Sequence, residues 1–200
     1  MAENPDMIGK YKIQGKIAQG GMGAIYKSMH PELKRAVIIK KLTTRGSSVA
    51  KERFLKEAKI LLEMQSPYIV HLFDYFTEGS SRYIVEEFVE GLSLDKLIQK
   101  QGSLSPQLAM LIMQDSLYGL RFAHKKNVVH RDIKPGNLLI SRRGEIKLTD
   151  FGIASDDSDD RATKDGVVLG TPSYMPPEQF KNSSGVDQRA DIYALGVMLY

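Results

Sequence analysis

Short apolar runs dominate the first part of the chain, and helical spacings dominate the second. Tyr11-Lys12-Ile13 and Ile25-Tyr26-Lys27 flank a glycine cluster. Ala36-Val37-Ile38-Ile39 is an apolar run rich in β-branched residues, so residues 11–42 are predicted to be strands. Gly46-Ser47-Ser48 then opens a helix in which Phe54, Ala58, Leu61 and Leu62 recur at helical spacing, with polar Gln65 as the exception, and Ser66-Pro67 stops it. Two more strands are expected over Ile69–Phe76 and Arg82–Phe88, joined by a turn at Glu78-Gly79-Ser80-Ser81. The sum is a small α+β unit: five antiparallel strands with one inserted helix.

From Gly91 the spacing turns helical. Ser93 can cap a short helix that ends near Gly102, and Ser105-Pro106 is an N-cap followed by proline at the first helical position. Ala109, Ile112, Met113, Leu120 and Ala123 then form one apolar face. Residues 138–140 and 146–148 are short apolar runs around a turn at Arg142-Arg143-Gly144, and Asp191–Tyr200 resumes a helical pattern. Residues 152–185 are rich in Gly, Ser, Asp and Pro, and so long a loop in a compact domain is usually functional. These changes predict a first domain over 1–86, a hinge at 87–91 and a second, mainly helical domain over 92–200.

Composition narrows the class. The chain has 200 residues, 42% apolar and 26% charged, an ordinary balance for a packed core. Its net charge of +4 is not clustered: basic residues alternate with acidic ones, as in Lys51-Glu52-Arg53 and Lys56-Glu57, so nucleic acid is not an expected partner. The absence of cysteine rules out disulfides and Cys-ligated zinc and suits a reducing cytoplasm. The N-terminal MAENPDMIGKYKI lacks the apolar run of a signal peptide, and no membrane-spanning segment is expected in the chain.

Four groups of residues carry chemistry. Gly20-Gly21-Met22-Gly23 sits between strand signals; glycines let backbone amides approach phosphate, although a ligand-free hairpin reads the same way. A strand rather than a helix follows them, against a dinucleotide-binding fold. Lys40 ends an apolar strand, and Glu57 lies in the following helix; they could form an ion pair that aims Lys40 at phosphate, or Glu57 could pair on the surface with Lys56 or Arg53. In His130-Arg131-Asp132-Ile133-Lys134-Pro135-Gly136-Asn137, Pro135-Gly136 keeps the loop from being helical. There Asp132 can accept a hydroxyl proton, Lys134 offers a cation and Asn137 an amide oxygen for a metal. Asp150-Phe151-Gly152 follows the strand at 146–148, where a carboxylate is placed to hold Mg²⁺, a hard cation that prefers oxygen.

These residues resemble the eukaryotic-type serine/threonine protein kinase family, with bacterial-like features, over Tyr11 to Tyr200. Gly170-Thr171-Pro172-Ser173-Tyr174-Met175-Pro176-Pro177-Glu178 and Asp191-Ile192-Tyr193-Ala194-Leu195-Gly196 fit in register as well. The resemblance implies a two-lobed protein-kinase-like α+β fold and transfer of the ATP γ-phosphoryl group to Ser/Thr hydroxyls of a protein substrate. It implies Asp132 as catalytic base, supported by Lys134, with Lys40 on the phosphates and Glu57 holding it. Asn137 and Asp150 would bind Mg²⁺, with Mn²⁺ as an alternative. Ile17, Gly20, Gly23, Ile25, Ile38, Glu87, Val89 and Leu139 would line the ATP site, Glu87 and Val89 through their backbones. Lys134 and Gly170-Thr171 favour Ser/Thr over Tyr, and Thr171 would line the substrate site. Arg131 would pair with a phosphorylated loop residue, Thr163 first, and Glu178 would belong to the same substrate and activation segment. Asp191 would brace the catalytic loop. Leu61, Leu72, His130 and Phe151 match the family's apolar spine.

Departures from the pattern support a second expectation, a catalytically impaired fragment or a pseudokinase-like binding module. Ala18 stands where the first loop glycine is usual, Ile38 where a small alanine is usual, and Pro176 where alanine precedes Pro-Glu. Glu86 occupies a generally apolar position, where a carboxylate is costly unless paired or protonated. The family's large lobe continues for several helices past the one at Asp191. The chain is therefore expected to be C-terminally incomplete, with Leu195, Val197, Met198 and Leu199 needing a partner or a further segment as cover. A small-molecule phosphotransferase is disfavoured, because such enzymes lack this activation segment.

Overall fold

Alternation of buried and half-buried side chains organises the strands. The computed structural model describes residues 5–20, 23–42, 55, 58–151, 172–181 and 185–200. They belong to two compact units, Met1–Met64 with His71–Phe88, and Gln65–Val70 with Val89–Tyr200.

In the first unit β1 (Met7–Ile8), β2 (Tyr11–Gly20), β3 (Gly23–Met29), β4 (Ala36–Leu42), β5 (Leu72–Glu78) and β6 (Ser81–Glu87) form an antiparallel sheet in the order β1-β2-β3-β4-β6-β5. Tyr26, Ile39 and Val85 stand opposite one another on neighbouring strands. With Ile8, Tyr11, Val37 and Tyr83 they make the core, and each such burial stabilises the unit by about 1.5–3 kcal/mol. Ile25, Ile38 and Lys40 share the other face and are half-buried. Tyr11 is fully buried and its hydroxyl donates to Asp74 Oδ2 at 2.8 Å. Burial first, and then that bond, raise the phenol's pKa well above its ordinary value.

The sheet has six strands where the sequence predicts five. The extra strand, β1, is two residues long and folds back through Gly9 at φ 53°, too short for alternation to register. The predicted strand over Ile69–Phe76 begins only at Leu72. Ile69 instead bridges in parallel to Leu148; Val70 N–H donates to the Leu148 carbonyl, and Leu148 N–H to that of Tyr68. A buried apolar pair such as Ile69-Val70 reads alike in either sheet. Residues 58–62 are helical, with Ala58 fully buried.

The second unit holds a sheet of β7 (Gly91–Ser93), β8 (Leu138–Ser141) and β9 (Ile146–Leu148), with helices α1 (Leu94–Gln101), α2 (Pro106–Lys125), α3 (Pro177–Lys181) and α4 (Arg189–Leu199). Sequence spacing did not disclose β7. A Cβ on Gly91 would lie 1.9 Å from the Ile140 carbonyl oxygen, so only glycine lets β7 approach β8. Ser105 Oγ accepts the Leu108 N–H at 3.3 Å and Pro106 opens α2, as predicted. The helix buries Ile112, Met113, Ser116, Gly119, Leu120 and Ala123; Ala109, predicted on that face, is only half-buried. Gly119 rests against the Tyr68 carbonyl and Leu148, where a Cβ would come within 3.0 Å. Leu195, predicted to lack cover, is 4% exposed: it shares a face of α4 with Ala190, Asp191 and Ala194, and α4 packs against α2. Leu199 is exposed.

Candidate active site

The loop from His130 to Asn137 closes through its own side chains. Lys134 Nζ donates to Asp132 Oδ2 at 2.7 Å, and Asn137 Nδ2 donates to the same oxygen at 3.0 Å and to the Asp132 carbonyl at 2.8 Å. The Asn137 amide therefore turns its nitrogen to Asp132 and leaves its oxygen on the other side of the amide carbon. Pro135–Asn137 form one 3₁₀ turn, and Asn137 is 5% exposed. The Asp132 side chain keeps 40% of its exposure, so a hydroxyl can reach it.

Buried groups set this loop from below. Asp191, 1% exposed, accepts the His130 N–H at 2.9 Å, the Arg131 N–H at 2.8 Å and a hydrogen bond from the His124 ring at 2.7 Å. Gln179 Nε2 donates to the Arg131 carbonyl at 2.8 Å. Arg131 is thus gripped at both backbone groups while it holds φ at 66°, a left-handed value costly for a non-glycine residue. The fully buried His130 ring lies 2.9 Å from the Thr149 carbonyl through Nε2, and its Nδ1 accepts the Asp132 N–H at 3.3 Å. Nε2 is consequently the donor nitrogen. The ring also packs on Phe151 with centroids 4.4 Å apart.

These contacts bring the two aspartates to one end of the β8–β9 hairpin. Thr149 N–H donates to the Asn137 carbonyl at 3.0 Å, and Asp150 follows at φ 62° with an exposed side chain. A second left-handed residue beside the first is the kind of over-determined backbone found at functional sites. Leu139 is half-buried on β8 and Val89 lies just before β7. Glu178 is exposed on α3, beside buried Pro176 and Gln179.

In the first unit, Ile25 stands opposite Lys40, and Ile38 opposite Glu86. Lys40 Nζ lies 2.6 Å from Glu86 Oε2. The carboxylate that the sequence marks as costly is therefore paired. Gly20 and Gly23 pair at the end of the β2–β3 hairpin, and Ile17 on β2 is exposed. Glu87 N–H donates to the His71 carbonyl, and Glu87 Oε2 accepts the His71 N–H. Glu57, Thr163 and Thr171 lie outside the described residues, as does the Lys40–Glu57 pair.

Sequence reasoning missed His124, Gln179 and Thr149. No local pattern distinguishes a histidine near a helix end or a glutamine after Pro-Glu. Only the approach of α2, α3 and β9 to the loop gives them partners.

Comparison with known proteins follows the same lines. Residues 11–200 match the family described as protein kinase domain. The chain is 35% identical over 193 residues to serine/threonine-protein kinase PknL of Mycobacterium tuberculosis, covering 96% of this chain and 48% of that one. It is 38% identical over 196 residues to PknH of Mycobacterium bovis, covering 97% and 33%. It is also 36% identical over 208 residues to the probable serine/threonine-protein kinase pknA2 of Bifidobacterium longum, covering all of this chain and 27% of that one. The chain thus spans half or less of the length of these relatives. A crystal structure of Rad53 residues 1–466 in complex with AMP-PNP superposes with a TM-score of 0.78 at 24% identity, covering 95% of this chain and 47% of that one, which identifies the fold.

Proposed function

Because the chain belongs to the protein kinase domain family, we propose that it transfers the γ-phosphoryl group of ATP to Ser or Thr hydroxyls of a protein substrate. The observation that carries this reading is the closed Asp132–Lys134–Asn137 loop, stitched through the Asn137 carbonyl to Thr149, the residue before Asp150. Such transfer passes through a loose transition state, so positioning and charge matter more than covalent chemistry. Asp132 orients the substrate hydroxyl and accepts its proton. Lys134, already on Asp132, offsets charge on the moving phosphoryl group.

Asn137 and Asp150 offer oxygen ligands only, a donor set that fits a hard divalent cation. Among the described residues no group of three or more His, Cys, Asp or Glu could hold a metal. In this reading Asn137 and Asp150 would hold the cation. When bound it neutralises phosphate charge; Mg²⁺ is the proposed ion, with Mn²⁺ able to replace it. Lys40 supplies a second cation to the phosphates. Ile17, Gly20, Gly23, Ile25, Ile38, Glu87, Val89 and Leu139 are the proposed nucleotide contacts. Thr163, Thr171 and Glu178, with Arg131, are assigned to the activation and substrate segment. No described helix is long and apolar enough to cross a membrane, and use of ATP fits a cytoplasmic active site.

The test is transfer from labelled ATP to a generic protein substrate by the full-length gene product, with phosphoamino-acid analysis. Asp132→Asn and Asp150→Ala should each lower the rate by roughly 10²–10⁴-fold. Undiminished transfer in the Asp150→Ala protein, or label on tyrosine alone, would sink the reading.

A further inference from the structure

The sheet register leaves Glu86 with a task the site description does not use. On β4 and β6 the opposed pairs are Ile38 with Glu86 and Lys40 with Ile84. Lys40 and Glu86 are therefore diagonal neighbours on one face, within reach of two long side chains. Their charged ends meet at 2.6 Å, with the side chains only 14% and 12% exposed. A charge-assisted bond this far out of water is strongly directional.

We propose that Glu86 is a positioning residue for Lys40: its carboxylate fixes the ammonium at the end of β4 and partly neutralises it against the nucleotide phosphates. The proposal rests on the kinase reading, in which Lys40 meets those phosphates. Two opposite effects follow from the one bond. Removing the carboxylate leaves the Lys40 ammonium's charge undivided between carboxylate and phosphate, which tightens ATP binding through Lys40. It also frees the ammonium to follow the phosphates, so transfer slows.

Glu86→Gln keeps the size and an acceptor oxygen but removes the charge. In the full-length protein it should lower the KM for ATP by about three- to tenfold and lower kcat by about threefold or more. The equilibrium dissociation constant for ATP should fall with KM, and only when Lys40 is present; in a Lys40→Met background Glu86→Gln should change it less than about twofold. Lys10→Ala, which breaks the exposed Lys10–Asp74 pair in the same unit, should leave both parameters as they are.

A KM for ATP that is unchanged or raised by Glu86→Gln overturns the proposal, as does an equal effect with and without Lys40. If Glu86→Gln is too unstable to assay, the Lys40→Met/Glu86→Met protein should recover stability, because the loss comes from an ammonium kept out of water without its carboxylate at 2.6 Å. A double variant no more stable than the single one overturns the pairing. Wild-type protein that binds no ATP overturns the kinase reading together with this one. ATP binding with no Lys40-dependent response to Glu86→Gln overturns this one alone.

Discussion

Asp191→Ala isolates the support beneath the catalytic loop. Asp191 is almost fully buried and accepts from His130 N–H, Arg131 N–H and the His124 ring. Alanine removes the acceptor of the buried His130 amide and of the half-buried Arg131 amide, and each unmade bond of this kind costs about 1–3 kcal/mol. The expected loss is about 2–6 kcal/mol, against a typical whole-domain stability of about 5–15 kcal/mol. Asp191→Asn has the same shape and keeps one oxygen, so it should lose about half as much. Urea unfolding measures the totals. Hydrogen exchange at the His130 and Arg131 amides localises them, and both should lose protection in the Ala protein before distant strands do. Protected amides in the Ala protein, with a shift below about 1 kcal/mol, would refute the account.

Two further outcomes test the packing. Gly91→Ala places a methyl 1.9 Å from the Ile140 carbonyl, so β7 should separate from β8 at a cost of about 1–3 kcal/mol; an unchanged unfolding midpoint would contradict the close approach. Tyr11 has its pKa raised by burial and by its bond to Asp74, so its contribution to stability is complete below the ordinary tyrosine value of about 10 and is lost as pH rises through the higher folded value. Tyr11→Phe should cost about 0.5–1.5 kcal/mol at neutral pH and flatten the alkaline decline. Equal alkaline slopes in the two proteins would count against it.

The helix start at Ser105-Pro106 was legible because a cap and a proline at the first turn are local signals. The strand character of β3 and β4 was legible for the same reason: Ile25-Tyr26-Lys27 and the β-branched run Val37-Ile38-Ile39 are local signals. What the sequence hid depends on distant partners. Gly91 looked like linker because the carbonyl that excludes a side chain belongs to Ile140. Ile69 looked like the start of β5 because an apolar residue carries no label for which sheet receives it. Leu195 looked uncovered, yet it is buried on a helix that packs against α2, many residues earlier. At the candidate site the motif residues were visible as motifs. Glu86 was visible only as a misplaced charge, since its ammonium partner lies on a neighbouring strand.

The excursion of residues 65–70 shapes how this chain can be dissected. Met64 and His71 belong to the first unit, while Gln65–Val70 are built into the second. A protease cut or gene truncation after Phe88 would release a piece that still carries Tyr68 and Val70. Their backbone partner, Leu148, would stay behind. Neither unit is a contiguous stretch, so expressing either one alone leaves ragged, unsatisfied backbone at the cut.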